Sequence, residues 1–190
     1  MISHYHKLIY LLPFALITGP FLPDLIVVLC SIFFLVDTFR LKLFNYYNNN
    51  FFKLFLIFLL LINLSSFFSD NIISFKYSIS YLRFGVFVIF VYYVLKNYDN
   101  SRFYLGYSII SIFVFLIIDG FIQYIFGKNI FLFELQTYNG ELPYITSTFN
   151  EEKKLGSFLA KMFPLLLISF IFIKNKYQNT KIDVFSSIIV

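Results

Sequence analysis

Residues 55–62 read Phe55-Leu56-Ile57-Phe58-Leu59-Leu60-Leu61-Ile62, and residues 84–95 read Phe84-Gly85-Val86-Phe87-Val88-Ile89-Phe90-Val91-Tyr92-Tyr93-Val94-Leu95. Neither stretch carries a charge, and neither alternates apolar with polar residues. A strand of a membrane barrel alternates with a period of two, because one face meets lipid and the other the lumen. A bilayer offers the backbone no hydrogen bonds, so a continuous apolar run inside it must be an α-helix. The rest of the chain repeats the pattern. Of 190 residues, 59% are hydrophobic and 13% charged, and the mean hydropathy is +0.80; a soluble domain has about a quarter of its residues charged. The fold class expected is all-α, a polytopic transmembrane helical bundle.

Working outward from those stretches, the apolar blocks give about six spans. The first covers residues 8–21, with Pro13 and Gly19-Pro20 ending its helix near Thr18 and a tight turn running through Asp24. The others cover about 25–39, 50–68, 77–95, 103–126 and 155–173. A signal peptide is the rival reading of the first block, since Lys7 precedes a short apolar core. No small-residue cleavage site follows, and another apolar block begins at once. After residues 174–183 a seventh apolar stretch starts at Val184 and reaches Val190. Seven residues cannot cross a core about 30 Å thick at about 1.5 Å per residue. The expectation is one transmembrane domain over 1–190 that forms the N-terminal half of a longer protein.

Charge orients these spans. With the N-terminus inside, the inner segments hold Lys7, Arg40, Lys42, Lys53, Lys96, Arg102, Lys174, Lys176 and Lys181, whereas the outer ones hold Lys76, Lys128, Lys153 and Lys154. Nine against four agrees with the bias of basic residues toward the cytoplasm. The acids lean outward, with Asp24, Asp70, Glu134, Glu141, Glu151 and Glu152 on that side. The loop 127–154 is therefore expected on the periplasmic or external face. The net charge of +5 follows from topology, and no basic cluster with nucleic-acid fold signals accompanies it.

Most residue types that carry chemistry in soluble enzymes are absent or isolated. Cys30, mid-span, reads as an inert buried thiol; His4 and His6 lack further ligands for a metal. The 29 Phe and 15 Tyr match the codon usage of an AT-rich genome and are given little functional weight. Three charges fall inside predicted spans: Arg83, Asp119 and Lys161. Such groups are costly in hydrocarbon and face a bundle interior, a partner or water. Arg83 lies near the outer end of its span, within snorkelling reach of the interface. Ser108, Ser111, Asp119 and Gln123 fall on one helical stripe, a candidate packing face. Lys161 shares a face with Lys154 and Ser157 and has two readings, an anionic lipid-linked phosphate or Asp119.

The segment Thr146-Ser147-Thr148-Phe149-Asn150-Glu151-Glu152-Lys153-Lys154-Leu155-Gly156-Ser157-Phe158-Leu159-Ala160-Lys161-Met162-Phe163-Pro164 resembles a signature of bacterial O-antigen polymerases and ligases. That signature pairs a small residue-x-Phe-x-acidic-Glu run with Leu-Gly-Ser-aromatic-Leu, a basic residue and a Pro, where an outer loop enters a membrane helix. Leu12-Pro13-Phe14-Ala15-Leu16, Gly19-Pro20-Phe21 and Tyr81-Leu82-Arg83-Phe84 are also similar. The chain departs from the family in having Tyr144 where Arg is frequent and Ser147 where Gly is frequent. The family's residues most tied to catalysis lie in a later periplasmic loop that this sequence does not contain.

The resemblance implies transfer of a saccharide from undecaprenyl pyrophosphate, on the periplasmic face of the bacterial inner membrane, in lipopolysaccharide or surface polysaccharide biosynthesis. No metal, cofactor or nucleotide sugar is called for, and the 190 residues are expected to be inactive alone. The pyrophosphate leaving group needs cations near the membrane surface. Arg83, Lys154 and Lys161 meet that need by charge and depth, and Glu151 and Glu152 are candidates for orienting the acceptor or the cations. Two other classes remain: a transporter or flippase, and a membrane subunit without chemistry whose embedded charges only pair with each other.

Overall fold

A computed structural model describes residues 4–68, 72–98, 100–135, 143–149 and 154–188. Among them the regular structure is entirely helical. Five helices are long and apolar enough to cross a membrane. After a 3₁₀ segment, His4–Leu11, come α1 (Leu12–Ala15), α2 (Phe21–Leu41), α3 (Asn50–Phe67), α4 (Ile72–Ser80), α5 (Leu82–Asn97), α6 (Ser101–Phe126) and α7 (Leu155–Ile188); α4 and α5 together count as one of the five.

The first block forms a 3₁₀ segment and a single α turn. Its helix stops at Ala15, before the expected Thr18, and Gly19 turns the chain at φ +112°. Helix α2 then starts at Phe21 and takes Pro23 and Asp24 into its first turn, where the sequence reading placed a turn. Proline is tolerated there because those N–H groups have no helical partner, and Asp24 complements the positive end of the helix dipole. The polar connector 45–50 is half structured. Leu43–Tyr47 is 3₁₀, and Asn49 caps α3 by accepting from Phe52 N at 2.7 Å. Helix α7 runs on through the polar stretch after Lys174 as one 34-residue helix.

The molecule packs as two compact units. The described residues of Met1–Ile9 and Pro23–Asp99 form the first. Its core is aromatic: Phe34 and Phe90 are fully buried with rings 5.6 Å apart, and Tyr5 stacks on Phe90 while donating to Asp37 Oδ2 at 2.8 Å. Tyr47 hydrogen-bonds Thr38 at 3.1 Å, and burial pushes its phenol pKa up. Helix α3 has no buried side chain. It is held by Phe55, whose ring lies over Gly85 of α5, and by Asn63, which accepts from Ser78 at 2.8 Å.

The second unit is formed by Tyr10–Leu22 and the described residues of Asn100–Val190. Its backbone is the α6–α7 pair. Helix α6 turns Gly106, Ile109, Ile112, Leu116 and Gly120 inward, and α7 answers with Leu155, Met162, Leu166 and Ser169. A Cβ on Gly106 would lie 3.4 Å from Ser169 Cβ; in lipid, small residues of this kind let helices approach closely and gain dispersion contact. Ser108 is buried and donates to Tyr10 O, but Ser111 points outward. The polar stripe expected on α6 is thus one residue out at that point, and Ile112 takes the inward place.

Candidate functional site

At the end of α6, Asp119 and Gln123 stand one turn apart, both fully buried. Gly127 terminates the helix in a left-handed conformation, φ +73°, which glycine adopts without a Cβ clash. The chain then doubles back: Leu135 N bonds Gly127 O at 2.8 Å and Asn129 N bonds Phe133 O at 3.0 Å. Lys128 closes the turn on Glu134 at 3.0 Å. This brings Asn129 and Ile130 over Asp119, whose Oδ1 accepts from Ile130 N at 3.0 Å and whose Oδ2 accepts from Asn129 Nδ2 at 3.3 Å.

The far end of the loop between α6 and α7 returns to the same two side chains. Ser147 donates its hydroxyl to Asp119 Oδ2 at 2.5 Å. Gln123 Oε1 accepts from Thr146 N at 2.9 Å and from Ser147 N at 2.7 Å, and its Nε2 donates to Thr146 Oγ1 at 3.1 Å. Asn129 ties the two strands of the loop directly, donating to Ser147 O at 2.8 Å. Thr146, Ser147 and Asn129 are all buried. In a low-dielectric site each of these bonds is strengthened, and each loss would leave an expensive orphan. Asp119 and Gln123 thus form a latch on both ends of the loop between α6 and α7.

The latch corrects one reading of the embedded charges. Asp119 does not pair with Lys161: its partners among the described residues are a hydroxyl, an amide side chain and a backbone N–H, and Lys161 is exposed on α7. Ser147 carries a further feature, a left-handed backbone at φ +50°, the region glycine favours. It opens a 3₁₀ turn, Ser147–Phe149, in which Thr148 Oγ1 is buried without a partner among the described residues.

The lysines follow at the foot of α7. Lys154 is exposed, and its carbonyl accepts from Phe158 N at 2.9 Å. Seven residues separate it from Lys161, about two helical turns, so both heads fall on one side of α7. Glu151 and Glu152 lie outside the described residues.

Arg83 belongs to the first unit, where it is half-buried at the start of α5. It meets Asp24 of α2, with Nη2 2.7 Å from Oδ1, and its carbonyl accepts from Ser31 at 2.9 Å. Its charge finds a partner within the fold instead of only snorkelling to the interface. The partner went unnoticed in the sequence because Asp24 was assigned to a turn. Their shared depth, each in the first turn of a helix, is the signal that would have found it.

No family model, curated protein or solved structure matches the chain.

Proposed function

We propose that this chain is a multi-pass bacterial inner-membrane protein of the O-antigen polymerase or ligase type, transferring a saccharide from undecaprenyl pyrophosphate on the periplasmic face. The observation that carries the reading is the backbone of Ser147, held at φ +50° where the resembling signature usually has glycine. The signature's Leu155-Gly156-Ser157-Phe158-Leu159 opens the apolar helix α7, eight residues after the latched Ser147, which supports the resemblance. Lys154 and Lys161 give that helix a cationic side suited to a pyrophosphate leaving group.

A six-crossing topology with the N-terminus in the cytoplasm accompanies this reading. Asp37 lies sixteen residues into α2 from Phe21, about 24 Å along its axis, and Tyr5 bonds it. The chain at Tyr5 thus lies near the far end of α2, which supports counting the first block as a crossing although it forms no regular spanning helix. His6 stacks on Tyr98, beyond the end of α5, which supports an N-terminus on the Lys96 side; the basic bias of that side argues for the cytoplasm.

A second reading, a membrane subunit without chemistry, is favoured by the internal partners of Arg83 and Asp119. Purified full-length protein, given a lipid-linked glycan donor and acceptor, separates the two. Donor-dependent glycan transfer is expected, and unimpaired surface polysaccharide in a deletion strain would count against it.

A further inference from the structure

Arg83 is incompletely partnered. Asp24 meets Nη2 and the Phe84 ring lies 5.0 Å from the guanidinium carbon, but Nε is buried without a hydrogen bond among the described residues. A guanidinium carries five N–H donors in a planar fork, and a buried donor left unmade calls for an explanation in an absent water, ion or ligand. Beside this guanidinium lies an open groove of about 370 Å³ between α2 and the α4–α5 junction. Val28, Ile32 and Leu35 form its α2 wall, and Ile79, Leu82 and Val86 the opposite one.

The dimensions and chemistry of the groove select its occupant. From Asp24, level with the guanidinium, to Leu35 is eleven residues, about 16 Å along α2. That is about half the 30 Å hydrocarbon thickness, the depth of one leaflet. Both walls are apolar, and the groove is open along one side, as a chain entering laterally from lipid requires. At its head stands a cation with unused donors, matched to a phosphate oxygen both in charge and in forked geometry. We propose that this groove is a seat for an anionic glycerophospholipid, one acyl chain lying along α2 and the phosphate bound by Arg83. Asp24 is then the resting counter-ion, sharing or yielding the guanidinium when the phosphate arrives. The seat uses neither the latched loop nor the lysines of α7, and it gives Arg83 a phospholipid phosphate in place of the lipid-linked pyrophosphate that the resemblance offered it.

The test is native mass spectrometry of the purified full chain in detergent, titrated with phosphatidylglycerol and with phosphatidylcholine of the same acyl chains. Wild type is expected to bind phosphatidylglycerol about tenfold more tightly. Asp24→Asn, which frees the guanidinium, strengthens phosphatidylglycerol binding. The double variant Asp24→Asn/Arg83→Gln, which leaves no lone buried charge and so keeps the fold, loses the preference. Ile32→Trp, at an exposed position on the groove wall, weakens both lipids. Equal binding of the two lipids by wild type, or an unchanged preference in the double variant, overturns the proposal. Displacement of phosphatidylglycerol by equimolar inorganic phosphate overturns the role of the groove.

Discussion

Ser147 combines a left-handed backbone with a hydroxyl bonded to the buried carboxylate of Asp119. The conformation costs a residue with a Cβ about 1–2 kcal/mol, and a hydrogen bond to a charged group returns about 1.5–3 kcal/mol. The two effects separate by substitution. Ser147→Ala loses the bond and keeps the strain, whereas Ser147→Gly loses both. Ser147→Gly should therefore be the more stable of the two by about 1 kcal/mol, the reverse of the usual Gly–Ala order in a helix. Thermal unfolding in detergent reads this, and an Ala variant as stable as Gly would refute the argument.

Gln123 is the other half of the latch. Gln123→Leu strands the amides of Thr146 and Ser147, which now share Oε1, at a cost of about 1–3 kcal/mol for each buried orphan. Gln123→Glu keeps an acceptor for both amides but loses the donor to Thr146 Oγ1, Phe133 O and Glu134 O and buries a carboxyl one turn from Asp119, so the two amides should stay better protected while stability falls. Hydrogen exchange at those two amides is expected to accelerate strongly in the Leu variant and less in the Glu variant.

Gly85 is a contact position. A Cβ there would lie 2.2 Å from Phe55 Cε1, so Gly85→Ala must displace the ring that fastens α3. The expected cost is about 1–3 kcal/mol, the usual range for overpacking. Phe55→Leu added to Gly85→Ala should recover part of it, and a double-mutant cycle measures the coupling. Strictly additive effects would show that the ring does not rest on this glycine.

For glycan transfer, the paired heads on α7 predict that Lys154→Gln and Lys161→Gln each lower donor turnover by about tenfold or more, the worth of a charge-assisted contact. Arginine at either position should restore much of it. Both lysines are exposed, so the fold should be unaffected, and circular dichroism provides the control.

Five apolar helices were legible because each is a long, largely apolar run, and helix is the structure such a run adopts in lipid; the first block, interrupted by Pro13 and Gly19-Pro20, forms no such helix. Boundaries were less so: the turn begun at Gly19-Pro20 was carried through Asp24, which instead sits in the first turn of α2, so its pairing with Arg83 was missed. The stripe on α6 carried Asp119 and Gln123 correctly, because one-turn spacing is a local property, but it also took in Ser111, which points outward. The partners of the stripe were beyond reach. Asn129 and Ser147 have no sequence relation to Asp119 that periodicity exposes, since a loop reversal, not a helical repeat, brings them together. Nor does sequence show which side of α7 is turned inward, and that is what left Lys161 between two readings.

The latch also imposes an order on biogenesis. Every described group that satisfies Asp119 is synthesised after it, Ser147 being 28 residues downstream. The carboxylate therefore enters the bilayer unsatisfied, at a cost that opposes settled insertion of α6. That cost is removed only when Asn129, Ile130 and Ser147 have reached the end of α6. Return of these residues to Asp119, and not formation of the helix before them, is the committing step for this part of the molecule.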